Sequence, residues 1–122
     1  MQEELEQLDA ELADLGATLR SGDYIGACLQ LAEFALKLDH YIRREERTLL
    51  LAHASIETPS VLETVHKEHQ RLRLLVAAIA TALDRADDGR GVEIVGKLRS
   101  VLLLHVVKEE LLLAPAASRA VH

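Results

Sequence analysis

The sequence predicts an all-α fold, an up-down-up-down antiparallel four-helix bundle, on three observations. Hydrophobic residues make up 49% of the 122 positions, yet they are mostly Leu, Ala and Val, with no Trp, two Tyr and one Phe. Strands draw on aromatic and β-branched residues, whereas Ala and Leu head the helix scale. Apolar residues also recur at spacings of three and four, the period of an amphipathic helix. Finally, the long periodic stretches are separated by brief Gly, Asp and Pro punctuation, and short links between long helices imply antiparallel neighbours. Four such helices consume nearly all of the chain, so residues 1–122 are read as a single domain.

Helix 1 is expected over about residues 3–20. Leu5, Leu8, Leu12, Leu15 and Leu19 form its inward stripe, and Glu3, Glu6, Glu11 and Asp14 its solvated face. In Ser21-Gly22-Asp23 the Gly stops this helix and the Asp caps the next. Helix 2 is expected over about 23–53, roughly 45 Å at ~1.5 Å per residue. Ile25, Leu29, Leu36, Leu38 and Leu49 to Leu51 supply its apolar content, and no Pro interrupts it. Thr58-Pro59 reads as a cap followed by the residue favoured at the first helical position, so helix 3 is expected over about 59–87. Asp88-Gly89-Arg90-Gly91 is the next break. Helix 4 follows over about 92–114, ended by Pro115.

Several function classes are poor fits. Fourteen Lys plus Arg against twenty Asp plus Glu give a formal charge of -6, which offers no basic field for phosphates, so no nucleic acid partner is expected. The apolar stretches 74–83 and 101–107 fall well short of the roughly 20 residues that span a bilayer, so no membrane partner is expected either. The N-terminus lacks a basic and apolar leader, and the single Cys28 cannot form an internal disulfide. Both fit a cytoplasmic location. Cys28 itself reads as a small buried apolar residue. No nucleophile paired with a base and no Gly-rich phosphate loop is present, so any chemistry falls to a metal.

The residues for one are there. His105 and Glu109 stand four apart on helix 4, one above the other, and can close on a single metal centre. They sit in a run that is otherwise apolar, where an unpartnered His or Glu is costly. Helix 3 carries His66 and His69, three apart and so on one face, with Glu68 between them. Helix 2 carries Glu45, with Tyr41 one turn before it and His40 beside that. Imidazole with carboxylate suits non-haem iron, whereas structural zinc prefers cysteine. The charged residues Arg43, Arg44, Glu46 and Lys108 read as solvated faces, and His53 and His122 as structural or exposed.

Taken in order, a ligand pair ending in Glu45 on helix 2, Glu68-His69 on helix 3, and His105 to Glu109-Glu110, leucines and Pro115 on helix 4 resemble the hemerythrin-like, or HHE cation-binding, family. The resemblance covers essentially the whole chain. It implies two iron ions inside the bundle, bridged by two carboxylates and an oxygen atom. Carried over, Glu45 and Glu109 would be the bridging carboxylates, and His105 with His69, helped by His66, would hold one iron. At the second iron the chain departs from the family. Tyr41 stands four before Glu45, where a His is usual, and an echo between the Tyr41 and His105 segments gives the same alignment. His40 is five before Glu45, about 140° round the helix, so Tyr41 is the favoured ligand and His40 the alternative. No His precedes His40, and Leu5 takes the place of the family's helix 1 His.

These features give three functional readings. The first is a diiron protein that reacts with a small oxidant or diatomic. A phenolate stabilises ferric iron and so favours peroxide or nitric oxide chemistry, as in a peroxidase-like oxidoreductase, over reversible dioxygen carriage or sensing. The second, a ferritin-like carboxylate protein, needs Glu-x-x-His on two helices and finds it only at Glu63-Thr64-Val65-His66. The third is a metal-free interaction module, for which the apolar face of helix 4 would serve as a partner surface, including that of a homodimer.

Overall fold

Two linkers built on one device set the helix boundaries. The computed structural model describes the backbone of residues 2–52 and 59–121, and the side chains of 3–50, 62–105 and 107. Within these, α1 spans Gln2–Ser21, α2 Tyr24–Ala52, α3 Pro59–Asp84 and α4 Asp88–Val121. At the end of α1, Gly22 takes φ 78°. Its N–H donates to the Leu19 carbonyl (3.2 Å) and the Asp23 N–H to that of Thr18 (3.3 Å), satisfying the carbonyls left over at a helix end. Asp23 then caps α2, its Oδ1 accepting the Gly26 N–H at 3.0 Å. A Cβ on Gly26 would collide with that carboxylate, so a side chain there would displace the cap.

The same arrangement joins α3 to α4, three residues earlier than the sequence reading placed it. Ala86 donates to the Leu83 carbonyl (3.0 Å) and Asp87 to that of Ala82 (2.9 Å). Asp87 Oδ1 accepts the Arg90 N–H at 3.1 Å. The expected break at Asp88-Gly89-Arg90-Gly91 is therefore the first turn of α4, because Asp87 is the cap. Ala86 performs at φ 54° what Gly22 performs in the other linker. An L-residue is strained there, so Ala86→Gly is expected to stabilise the fold by about 0.5–1 kcal/mol. That would raise the melting temperature by roughly 2–5 °C in a thermal melt. At the other end, α4 continues through Pro115 to Val121 rather than ending at Ala114. The ring's fixed φ of about −65° is itself helical, so proline removes a backbone bond without forbidding the helical path. The expected Thr58 cap, His53 and His122 lie outside the described residues.

Side-chain pairs fix the topology. Glu11 pairs with Lys37 and Glu4 with Arg44, so α1 and α2 run in opposite directions. Asp39 meets Arg73 at 3.0 Å, while Glu46 meets His66 at 3.4 Å, which makes α2 and α3 antiparallel. Gly91 approaches both Leu19 of α1 and Ala82 of α3, and Gly16 approaches Val95, which sets α4 antiparallel to both. Each helix packs on the next and α4 closes against α1, giving the up-down-up-down bundle. Arg99 clamps Asp9 across α1 and α4 with bonds of 2.8 and 3.1 Å. Such exposed pairs contribute little each; burial holds the bundle together.

All five leucines of the α1 stripe are buried, as their spacing predicts. Among the described side chains of α2 the buried ones are Ala27, Leu31, Phe34, Leu38, Tyr41, Ile42, Glu45 and Leu49. Ile25, Leu29, Leu36 and Leu50, read from the sequence as part of that helix's apolar content, are exposed. Phase decides this, since Leu38, four before Ile42, and Phe34, seven before Tyr41, lie on the core stripe and Leu36 does not. Cys28 is partly buried against the core.

Candidate metal centre

Among the described residues, three buried polar side chains break the apolar interior, and they meet. Glu45 on α2, His69 on α3 and His105 on α4 are each no more than 1% exposed. Glu45 Oε1 lies 2.6 Å from His69 Nε2 and 2.8 Å from His105 Nε2. One ligand atom from each falls within 4.8 Å of the others. The two imidazoles are 5.2 Å apart, centre to centre, and tilted by 54°. Tyr41, one turn before Glu45 and equally buried, donates its hydroxyl to Glu45 Oε2. It also meets the His105 ring edge-on, with centroids 6.4 Å apart.

Helical phase brings them together. Tyr41 and Glu45 are four apart and so stack on the inward face, flanked by the buried Leu38, Ile42 and Leu49. His69 falls between Val65 and Leu72 on the core stripe of α3, and His105 follows Val101 and Leu102 on that of α4. On α1, the ion pair of Glu4 with Arg44 sets the neighbouring Leu5 at this level of the bundle, where it is buried. From α1, then, an apolar side chain faces the interior at this level.

The remaining candidates are placed differently. His66 is 56% exposed and turns to Glu46 rather than to the buried cluster. The reason is angular: three residues before His69, it is rotated by about 60° toward the edge of α3. His40 is exposed on the outer face of α2, away from Glu45. Glu109 belongs to α4, and its side chain lies outside the described residues.

One residue of the site was read from the sequence as a solvated charge. Glu46 Oε1 lies 2.9 Å from His69 Nδ1 and 3.4 Å from His66 Nδ1. Two consecutive carboxylates of α2 thus grip the two nitrogens of one imidazole. The signal available in the sequence was the doublet Glu45-Glu46 opposite two histidines three apart.

The electrostatics follow from this grip. Burial works against a charged His69, but hydrogen bonds and charge from Glu45 and Glu46 outweigh it and raise the ring's pKa above its ordinary value. Burial likewise pushes the Glu46 carboxyl up, and the hydrogen bonds from His69 and His66 more than reverse this, holding it below the usual range. A proton between Glu45 and His69 therefore reconciles the buried carboxylate with the imidazole. A cation in that position would do the same.

The donor set fits a metal ion. It comprises one carboxylate and two imidazole nitrogens from three helices, with a phenol on the carboxylate's second oxygen and no thiol, a combination that suits iron better than a soft-metal site. Comparison with known families agrees: a family model described as the hemerythrin HHE cation binding domain matches residues 1–117. No characterised protein and no solved structure matched the chain.

Proposed function

The chain belongs to the hemerythrin HHE cation-binding domain family, and on that premise we propose that it is a non-haem diiron protein that reacts with a small oxidant or diatomic. Peroxide and nitric oxide are favoured over reversible dioxygen carriage. The observation that carries the reading is the buried convergence of Glu45, His69 and His105 within 4.8 Å. Burying a carboxylate and two imidazoles together among leucines costs stability that an apolar core would not. A bundle that retains them gains something else, and cation binding is what this donor set does.

In this reading Glu45 and Glu109 would hold the irons together with His69 and His105 on one side and the Tyr41 oxygen on the other. Bound iron would supply Lewis acidity and a one-electron redox couple to a small ligand. The chain supplies the rest. Tyr41 holds a proton against Glu45 Oε2, and losing it turns a hydrogen-bond donor into an anionic oxygen beside the centre. Val65, Leu72, Val101 and Leu102, within one turn of the two histidines, are buried and exclude bulk water. Leu5 walls the α1 side with an aliphatic surface. Such surroundings admit small uncharged molecules and oppose anions, which matches hydrogen peroxide and nitric oxide.

The test is metal content together with the visible spectrum of iron-supplied wild type and Tyr41→Phe. About two irons per chain, with a charge-transfer band that disappears in Tyr41→Phe, is the expected result. Iron retained with a spectrum indifferent to Tyr41 would remove the phenolate and with it the preference for peroxide and nitric oxide. A folded helical protein that takes up no metal would leave the interaction module, which the exposed Leu103, Leu104 and Val107 on α4 favour.

A further inference from the structure

We infer that Glu46 is the positioning residue of the metal centre, fixing the orientation and tautomer of His69 so that Nε2 faces the metal. The inference rests on the metal-binding reading above and extends it to a residue that touches no metal itself. An imidazole can bind a cation through either nitrogen, and the choice is set by what the other nitrogen does. At His69 the choice is visible. Nδ1 points at Glu46 Oε1 at 2.9 Å, and Nε2 points into the cluster, 2.6 Å from Glu45 Oε1. With Nδ1–H donated to a carboxylate, the lone pair available to a cation is on Nε2. The same bond pins the ring plane, since a ring flip about χ2 would withdraw Nδ1–H from its acceptor.

The placement of Glu46 suits this role and no direct ligation. It follows Glu45 in sequence, so its side chain leaves α2 about 100° round the helix from the inward carboxylate. Its side chain is 34% exposed against 1% for that of Glu45. Between the two, His69 is wholly buried, which makes Glu46 the partner that connects the sealed centre to the protein's edge. On its outer side Glu46 meets His66, whose Nε2 in turn lies 3.3 Å from Gln70 Nε2. His66, a ligand candidate from sequence, is thereby assigned to steadying Glu46. Its 3.4 Å contact and exposed ring make that a minor contribution.

The measurement is anaerobic ferrous iron binding to wild type, Glu46→Ala, Glu46→Gln and His66→Ala. It is paired with ¹⁵N NMR of the His69 ring in the zinc-loaded proteins, zinc serving as a diamagnetic probe. Loss of an outer-shell carboxylate costs roughly 10–100-fold in metal affinity, and that loss is expected for Glu46→Ala. Glu46→Gln keeps an acceptor oxygen and is expected to recover most of the affinity, with the Nδ1–H tautomer of wild type. His66→Ala is expected to stay within about threefold of wild type, because its contact is long and solvated. Wild-type affinity in Glu46→Ala would overturn the inference. So would a loss in Glu46→Gln as large as in Glu46→Ala, which would trace the effect to charge rather than to the hydrogen bond. Wild type that binds no metal would sink the reading of the whole site, a result distinct from either.

Discussion

Glu45→Ala is expected to purify with less than about a tenth of the wild-type iron, the largest effect of any single substitution on the centre. Glu45 is the hub of the site: one oxygen faces both imidazoles, at 2.6 and 2.8 Å, and the other accepts the Tyr41 hydroxyl. Removing it takes the only described carboxylate from the three-donor cluster. It also takes the Glu45 acceptor from three buried side chains at once. Breaking a buried ionic contact by deleting one partner costs about 3–5 kcal/mol, so the variant is expected to melt roughly 10 °C or more below wild type. Glu45→Gln separates the two losses. An amide preserves an acceptor and the side-chain volume, so thermal stability is expected to recover well above that of Glu45→Ala, while iron stays low because a neutral amide is a weak ligand for iron. Glu45→Asp shortens the reach by one methylene and is expected to fail at binding both. Iron content measured beside melting temperature checks all three, and full iron in Glu45→Ala would remove Glu45 from the ligand set.

Much of the fold was legible because single helices announce themselves by period. The α1 leucines were placed inward by spacing alone, and the turn at Gly22-Asp23 by residue chemistry. The misplaced boundary after α3 has a specific cause. Gly89 and Gly91 look like a break, while the true break uses Ala86 in a conformation that its residue type does not advertise. Similarly, Leu36 and Ile25 counted as apolar content on α2, yet content does not fix phase. In a helix lacking a strict stripe only tertiary packing decides which leucines face the core.

The candidate site was legible to the same extent and for the same reason. Residues four apart on one helix, Tyr41 with Glu45, must stack, whereas His40, five before Glu45, is exposed. What spacing on separate helices could not give was the lateral relation between them. His66 and His69 both looked like donors, but the position of α2 beside α3 delivers His69 to the interior and leaves His66 at the rim. Glu46 was missed because an acidic residue next to a ligand candidate is indistinguishable from a solvated charge until the facing helix is placed.

Phe34→Ala is expected to lower the melting temperature by roughly 10–20 °C while leaving iron per folded chain unchanged. Phe34 is the chain's one Phe and is 1% exposed. Truncating such a ring in a packed core costs about 3–5 kcal/mol, because the cavity closes only in part. It shares the inward face of α2 with Tyr41, seven residues and about 10 Å away along the helix. That distance is long enough for effects on the core and on the centre to be independent. The Leu15 and Leu98 side chains, fully buried on α1 and α4, belong to the same core cluster and hold the bundle in register without contributing a polar atom. A melt of the iron-free protein isolates the cost of the cavity, and a metal assay on the folded fraction at low temperature isolates the site. Should iron fall together with stability, the centre would depend on packing throughout the bundle rather than on the helices' grip near Glu45. Should only stability fall, the division of labour is spatial: leucines and Phe34 hold one part of the bundle, and the convergence of Glu45, His69 and His105 from three helices stands apart from it.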